Sequence, residues 1–245
     1  VSLKLISLNI EGHKHLDKII PFLQQEQPDV VCMMEVFEED VATFKTALGM
    51  EGQFVPLKDV PEPDEYFFGT GRGPWGLLQL SRLPAKEQTV HYYVKSGETV
   101  PLHDHHSDGG TWRAVAASTY QVNGQDYTIA TLHFVVSEKG QTSSVQLQHL
   151  ELLFKTLEQF PELVMCGDFN APRGKEVFDQ LAARYKDNIP LEYTFSLDPV
   201  IHRSGPLPFM VDGMFSTPEY QISQVRLQDG VSDHLAIVAQ VERVK

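Results

Sequence analysis

The chain has 245 residues, 42% of them hydrophobic, which is enough to bury a substantial core; at this length layered architectures are often one domain, and a single domain over residues 1–245 is expected. A formal net charge of −13 opposes extended contact with duplex nucleic acid, which is bound largely through lysine and arginine, although a local basic rim or a metal ion leaves nucleic acid open as a substrate. No apolar run is long enough to span a bilayer, so no transmembrane segment is expected, and Val1 to Ile6 alternates as a strand and not as a signal peptide; a cytoplasmic protein is expected, or a secreted one whose leader has been removed, and a monomer in either case.

Leu3 to Asn9 alternates as a strand. Leu16, Ile19, Ile20 and Leu23 then recur at helical spacing up to the stop at Gln27-Pro28-Asp29, with Pro21 calling for a later helix start or a kink. Val30 to Val36 is a continuous apolar run suited to a strand buried on both faces, and Glu38 to Leu48 reads as a short helix ended by Gly49. Strand signals follow at 53–57, 75–81, 89–94, 111–122 and 125–134, the last two joined by the hairpin dipeptide Asn123-Gly124. Ser143 or Ser144 caps an amphipathic helix that closes at Pro161, a strand covers 163–170, a helix 175–184, and strands 209–216, 220–227 and 235–244 finish the chain. Cys32 and Cys166 lie inside apolar strand-like runs and read as buried free thiols, which favours a reducing compartment. Two β-rich halves, each with helices and no tandem repeat, indicate an α/β four-layer sandwich: two central, mostly antiparallel sheets packed face to face and flanked by helices.

Polar side chains collect where these strands end. Asn9 closes the first and Glu11 follows; Glu35 closes the second; Asp168 and Asn170 close a later one; Asp233 and His234 precede the last. Taken singly, each reads more readily as a turn cap or ordinary loop polarity than as a functional group. Together, carboxylates, an amide and a histidine at one rim of a sheet are the parts needed to hold a hard divalent cation and hydrolyse a phosphate ester.

The set Ser7-Leu8-Asn9-Ile10-Glu11-Gly12, Met34-Glu35-Val36, Thr131-Leu132-His133-Phe134, Gly167-Asp168-Phe169-Asn170, Val211-Asp212-Gly213-Met214-Phe215 and Ser232-Asp233-His234 resembles, in order and spacing, the endonuclease/exonuclease/phosphatase superfamily of deoxyribonuclease-I-like phosphoesterases. The resemblance implies a Mg²⁺-dependent hydrolase, with Mn²⁺ as a substitute. Glu35 is then the principal metal ligand, assisted by Asn9 or Glu11 and by Asp233. It further implies that Asp168 orients and deprotonates the attacking water, Asn170 holds a phosphate oxygen, Asp212 pairs with His234, and His133 supplies a second donor. Thr-Leu-His-Phe is similar to the deoxyribonuclease, sphingomyelinase, deadenylase and phosphatase branches, whereas Asn9-Ile10-Glu11-Gly12 resembles the apurinic endonucleases with glutamate for aspartate. The leading expectation is a nuclease-type phosphodiesterase; a phosphatase, a lipid phosphodiesterase and a catalytically idle binding module are the alternatives.

Three further residues are candidate substrate contacts. Arg72 lies in Gly69-Thr70-Gly71-Arg72-Gly73-Pro74, which lacks a phosphate loop's Gly-Lys-Ser/Thr ending and reads as a turn. His105 belongs to His103-Asp104-His105-His106-Ser107-Asp108, metal-like in composition but read as a solvated loop. Arg113, beside Trp112, reads as a structural charge reaching a cleft carboxylate.

Overall fold

A computed structural model describes residues 2–104 and 110–244. Its elements in chain order are β1 (Leu3–Asn9), α1 (Leu16–Glu26), β2 (Val30–Phe37), α2 (Val41–Leu48), β3 (Glu51–Val60), β4 (Gly73–Ser81), β5 (Ala85–Val94), β6 (Arg113–Val122), β7 (Gln125–His133), α3 (Ser144–Leu157), β8 (Val164–Asp168), α4 (Glu176–Ala182), β9 (Lys186–Asp187), β10 (Asp212–Ser216), β11 (Tyr220–Gln228) and β12 (Ala236–Arg243).

The strands form two six-stranded sheets, ordered β11-β12-β1-β2-β4-β3 and β5-β6-β7-β8-β10-β9. β1 and β2 are parallel, as are β7 and β8, and the other pairings are antiparallel. Parallel neighbours need a crossover, and α1 and α3 supply one in each sheet. The sheets pack face to face: Leu5, Cys32 and Ile237 meet Ile129, Cys166 and Met214 in one dry layer. On the outer faces, Ile19, Leu23, Phe44 and Leu48 of α1 and α2 cover Ile6, Met33 and Leu78, while Leu150, Leu153, Leu157 and Phe178 of α3 and α4 cover Val115, Leu132 and Met165. This is the expected four-layer sandwich, and both cysteines are buried and free.

Local chemistry explains most boundaries. Ser143 accepts the Gln146 N–H as the N-cap of α3, and Asn123 and Gly124 both have positive φ, as a two-residue hairpin turn demands. Of the two expectations for Pro21 the later helix start is excluded, because α1 starts at Leu16 and runs through it to Glu26. The missing proline N–H deprives the Asp17 carbonyl of its helical partner, but both residues face water, which takes its place. Glu38–Asp40 forms a separate 3₁₀ turn ahead of α2. The strand expected from Phe209 begins only at Asp212, because the preceding backbone is engaged elsewhere: Arg173 N–H bonds Met210 O, and Val211 N–H bonds Ser196 Oγ. Among the described residues no helix is long and apolar enough to cross a membrane.

Candidate active site

Strand register gathers the charged groups at one end of the sandwich. In the second sheet His133 pairs with Asp168, and Asp168 with Asp212, so three of them lie in one row across β7, β8 and β10. In the first sheet Asn9 pairs with Met34, next to Glu35. β12 starts from this same rim, and the residues just before it are Asp233 and His234. Gly167 makes the close approach of β8 to β7 feasible: its φ is +153° and a Cβ there would lie 2.0 Å from Leu132 O. Glu35 is the extra residue of a β-bulge between Met34 and Val36, with φ +64°; the bulge takes its side chain out of the ladder and aims it into the cleft.

The polar floor is closely connected. Asn9 Nδ2 donates to Glu35 Oε1 at 3.0 Å and to Asp168 Oδ2 at 3.2 Å, while Asn9 Oδ1 accepts the Glu11 N–H at 3.1 Å. Asn9 thereby spaces two carboxylates from beneath. His133 Nε2 lies 3.5 Å from Asp168 Oδ2, 3.9 Å from Glu35 Oε1 and 3.0 Å from Asn170 Nδ2. Asn170 donates to Phe134 O as well, and its own N–H bonds Asp168 Oδ1 at 2.8 Å. On the other side of Asp168, His234 Nε2 stands 3.9 Å from Asp168 Oδ2, and His234 Nδ1 bonds Asp212 Oδ2 at 2.8 Å.

Electrostatics separates these groups. Burial alone pushes the Asp168 carboxyl up, but the His133 contact, the His234 charge and the Asn170 N–H outweigh it and lower its pKa to about 2. Burial likewise pulls His234 down, but Asp212, Asp233 and Asp168 surround it and hold it well above the imidazole range as a cation. Asp233 is pushed up to about 7, first by burial and then, against the relief from His234, by the neighbouring Glu11 and Glu35 carboxylates. Burial raises Asp212 too, yet its short bond to a cationic His234 argues for an ionised pair.

The floor lies in a cleft of about 510 Å³, walled by Lys58, Phe67, Phe68, Trp75 and His103 on one flank and by Val136, Lys139, Leu207 and Phe209 on the other. Several expected contacts fall differently. Arg72 is exposed and lines a separate crevice with His13, Glu39 and Asp40, because its N–H is held by Glu39 Oε1; it does not line the cleft. Arg113 does line it, but its Nη1 donates to the His133 and Phe134 carbonyls, so it braces the backbone that carries His133. Glu11 turns its carboxylate to Lys14 at 2.7 Å and His15 at 2.9 Å and does not line the cleft. His105 lies outside the described residues.

Residues outside the expected set also shape the site. His202 and Arg203 line the cleft, with the Arg203 guanidinium 4.8 Å from the Phe67 ring. Ser196 Oγ accepts the N–H groups of Val211 and Asp212, each at 3.0 Å, while Ser196 O accepts Leu235 N–H. Asp198 accepts three backbone N–H groups, from Val200, Ile201 and Gly230, and its own N–H bonds Asp233 O at 2.7 Å. Segment 196–198 thus splints Asp212 to Asp233 and His234. The short Ser-Leu-Asp sequence carries no signal of that role, since the contacts span 15 residues or more.

The donor set suits a hard cation. Among the described residues one group of three metal-type donors converges within 4.8 Å, namely Asp168, Asp212 and His234, all buried. A histidine kept protonated by three carboxylates is a poor ligand, however. On the other side of the floor Asp233 is crowded by Glu35 and Glu11, and oxygen donors are what a hard divalent cation takes.

A family model described as "Endonuclease/Exonuclease/phosphatase family" matches residues 6–234. A sequence comparison with curated proteins finds no match. Among solved structures, an endonuclease/exonuclease/phosphatase from Bacteroides vulgatus superposes with a TM-score of 0.72 at 15% identity, with 100% of both chains covered. The catalytic domain of human Nocturnin, solved with a bound sulfate anion, gives 0.69 at 17% identity over 99% of this chain and 95% of that one. The mannosyl-6-phosphatase of Bacteroides thetaiotaomicron gives 0.68 at 14% identity over 98% and 100%. At these identities the structural likeness speaks for the fold.

Proposed function

The chain belongs to the endonuclease/exonuclease/phosphatase family of phosphoester hydrolases, and from that premise we propose that it is a Mg²⁺-dependent phosphodiesterase, with Mn²⁺ as a substitute, that directs water at a phosphorus on the cleft floor. The observation that carries the reading is the row Asp212, His234, Asp168: an ionised aspartate 3.9 Å from an imidazolium that a second aspartate holds at 2.8 Å, beside Glu35 and Asn170.

In this reading Glu35 and Asp233 hold the metal, which supplies Lewis-acid stabilisation of charge on the phosphoryl oxygens. Asn9 keeps Glu35 and Asp168 apart and oriented. Asp168, with a pKa near 2, is a weak proton sink and acts mainly by aligning the attacking water. His234 presents its Nε2 proton to charge building on phosphorus, and Asp212 fixes that ring and its cationic form. Asn170 and His133 exchange their mutual contact for hydrogen bonds to phosphate and leaving oxygens.

Beyond the floor the cleft is lined by Phe67, Phe68 and Trp75 and by Val136, Leu207 and Phe209, apolar surface on which the ester arms of a diester can rest. The carboxylate-rich floor and the charge of −13 support a compact substrate, or a short stretch of a polymer, over an extended duplex. Parallel assays of a bis-aryl phosphodiester and an aryl phosphomonoester with metal-loaded protein test the reading. A higher kcat/KM for the diester is expected; preference for the monoester would transfer the site to a phosphatase.

A further inference from the structure

We propose that Gln146, on α3 and outside the reacting group, is a positioning residue that sets Asn170 and His133 for the phosphoester hydrolysis on whose reading this inference rests. Gln146 is 1% exposed, and a buried carboxamide persists only where its hydrogen-bonding groups find partners. Its backbone N–H is already capped by Ser143. Its side chain leaves the helix altogether: Nε2 donates to Val135 O at 3.0 Å and to Asn170 O at 2.9 Å, so both amide hydrogens are engaged.

These two carbonyls belong to different loops. One continues β7 beyond His133 and the other continues β8 beyond Asp168. The loops also meet through Phe134 N–H to Asp168 O at 2.8 Å and through Asn170 Nδ2 to Phe134 O at 3.1 Å. Asn170 has φ +48°, a left-handed conformation that a non-glycine residue keeps only where its surroundings fix it. Gln146 grips the carbonyl of that residue. Packing alone would not call for glutamine, since Leu150, Leu153 and Phe154 fill the space under the same helix with apolar side chains. The buried amide is matched to one carbonyl on each loop, and those carbonyls fix where the Asn170 amide and the His133 ring point.

The test uses Gln146→Met, which keeps the length and apolar bulk of the stem and removes both donors. With the metal-loaded full chain and a bis-aryl phosphodiester, kcat is expected to fall by about 10- to 100-fold through misplacement of the reacting groups, with KM within about twofold. In an Asn170→Ala background the same substitution is expected to cost several-fold less, because of the two groups it positions only His133 remains. Amide hydrogen exchange is read alongside: rates in 134–136 and 169–171 are expected to rise about tenfold or more, with β1 and β2 unchanged. The exchange result stands whether or not the diester is cleaved, so failure of the hydrolase reading shows as inactive native protein with selective loop exchange. An equal loss of kcat in both backgrounds, or exchange raised evenly through the fold, overturns the proposal and leaves Gln146 a packing residue. Should Gln146→Met fail to fold, Gln146→Leu, which matches the apolar neighbours under the same helix and also lacks both donors, carries the same comparisons.

Discussion

Replacing Asp212 by asparagine removes one charge from a buried contact and leaves its shape in place. His234 Nδ1 and Asp212 Oδ2 are 2.8 Å apart, and neither residue is more than 7% exposed. Unit charges whose centres lie about 4 Å apart interact by roughly 4 kcal/mol at an effective dielectric near 20, and each ~1.36 kcal/mol is tenfold in rate, so the loss in kcat is bounded near 10³. A single oxyanion donor in other hydrolases is worth about 2.7–4 kcal/mol, which gives a range of about 10²–10³ for Asp212→Asn. Kinetics for Asp212→Asn, His234→Ala and the double variant should show two comparable single losses and a double variant little worse than either. The pH profile gives a second readout. His234 is a cation below its raised pKa and loses that charge as pH rises through it, so removing Asp212 should move the alkaline decline in kcat to lower pH. Strictly multiplicative losses with an unmoved alkaline limb would refute the paired role.

Asp168→Asn should lower kcat by about 10²–10⁴ with little change in KM, measured by steady-state turnover; near-normal turnover would reduce Asp168 to a turn cap. Glu35→Gln should raise the Mg²⁺ concentration needed for half-maximal activity about tenfold or more while leaving the melting temperature in chelator unlowered, and an unchanged titration would remove Glu35 from the metal site. Asp198→Asn should cost about 1.5–3 kcal/mol of stability by denaturant unfolding at neutral pH, because one amide oxygen replaces a carboxylate that accepts three N–H groups. Burial raises the Asp198 carboxyl but those bonds lower it further, so its contribution is complete above the ordinary aspartate range and fades as pH falls through the lowered pKa; the gap between the two proteins should close in acid.

The fold and much of the floor are legible in sequence for one physical reason: strand ends are marked by apolar runs that stop at a polar residue, as at Asn9 and Asp168, whereas Glu35, expected to close its strand, sits on a bulge two residues before the end of β2. What sequence leaves open is direction and partner. Glu11 follows Asn9 as a plausible ligand, but its carboxylate turns to Lys14 and His15 three and four residues away, a local pairing within the turn between β1 and α1. Arg72 sits in a glycine-rich turn close to Trp75 in sequence, yet Glu39 holds its backbone away from the cleft. Ser196, Asp198 and Gln146 are ordinary loop and helix residues in one dimension. Their importance lies in backbone groups 11 to 32 residues distant, which no local pattern encodes.

Glu35 and Asp233 are proposed to build a cation site that the Asp168 and Asp212–His234 groups serve. The most direct test is hydrolysis of a bis-aryl phosphodiester by protein stripped with excess chelator and then titrated with Mg²⁺ or Mn²⁺. No turnover in chelator and full recovery as the free metal rises are expected; undiminished hydrolysis in excess chelator would contradict the account.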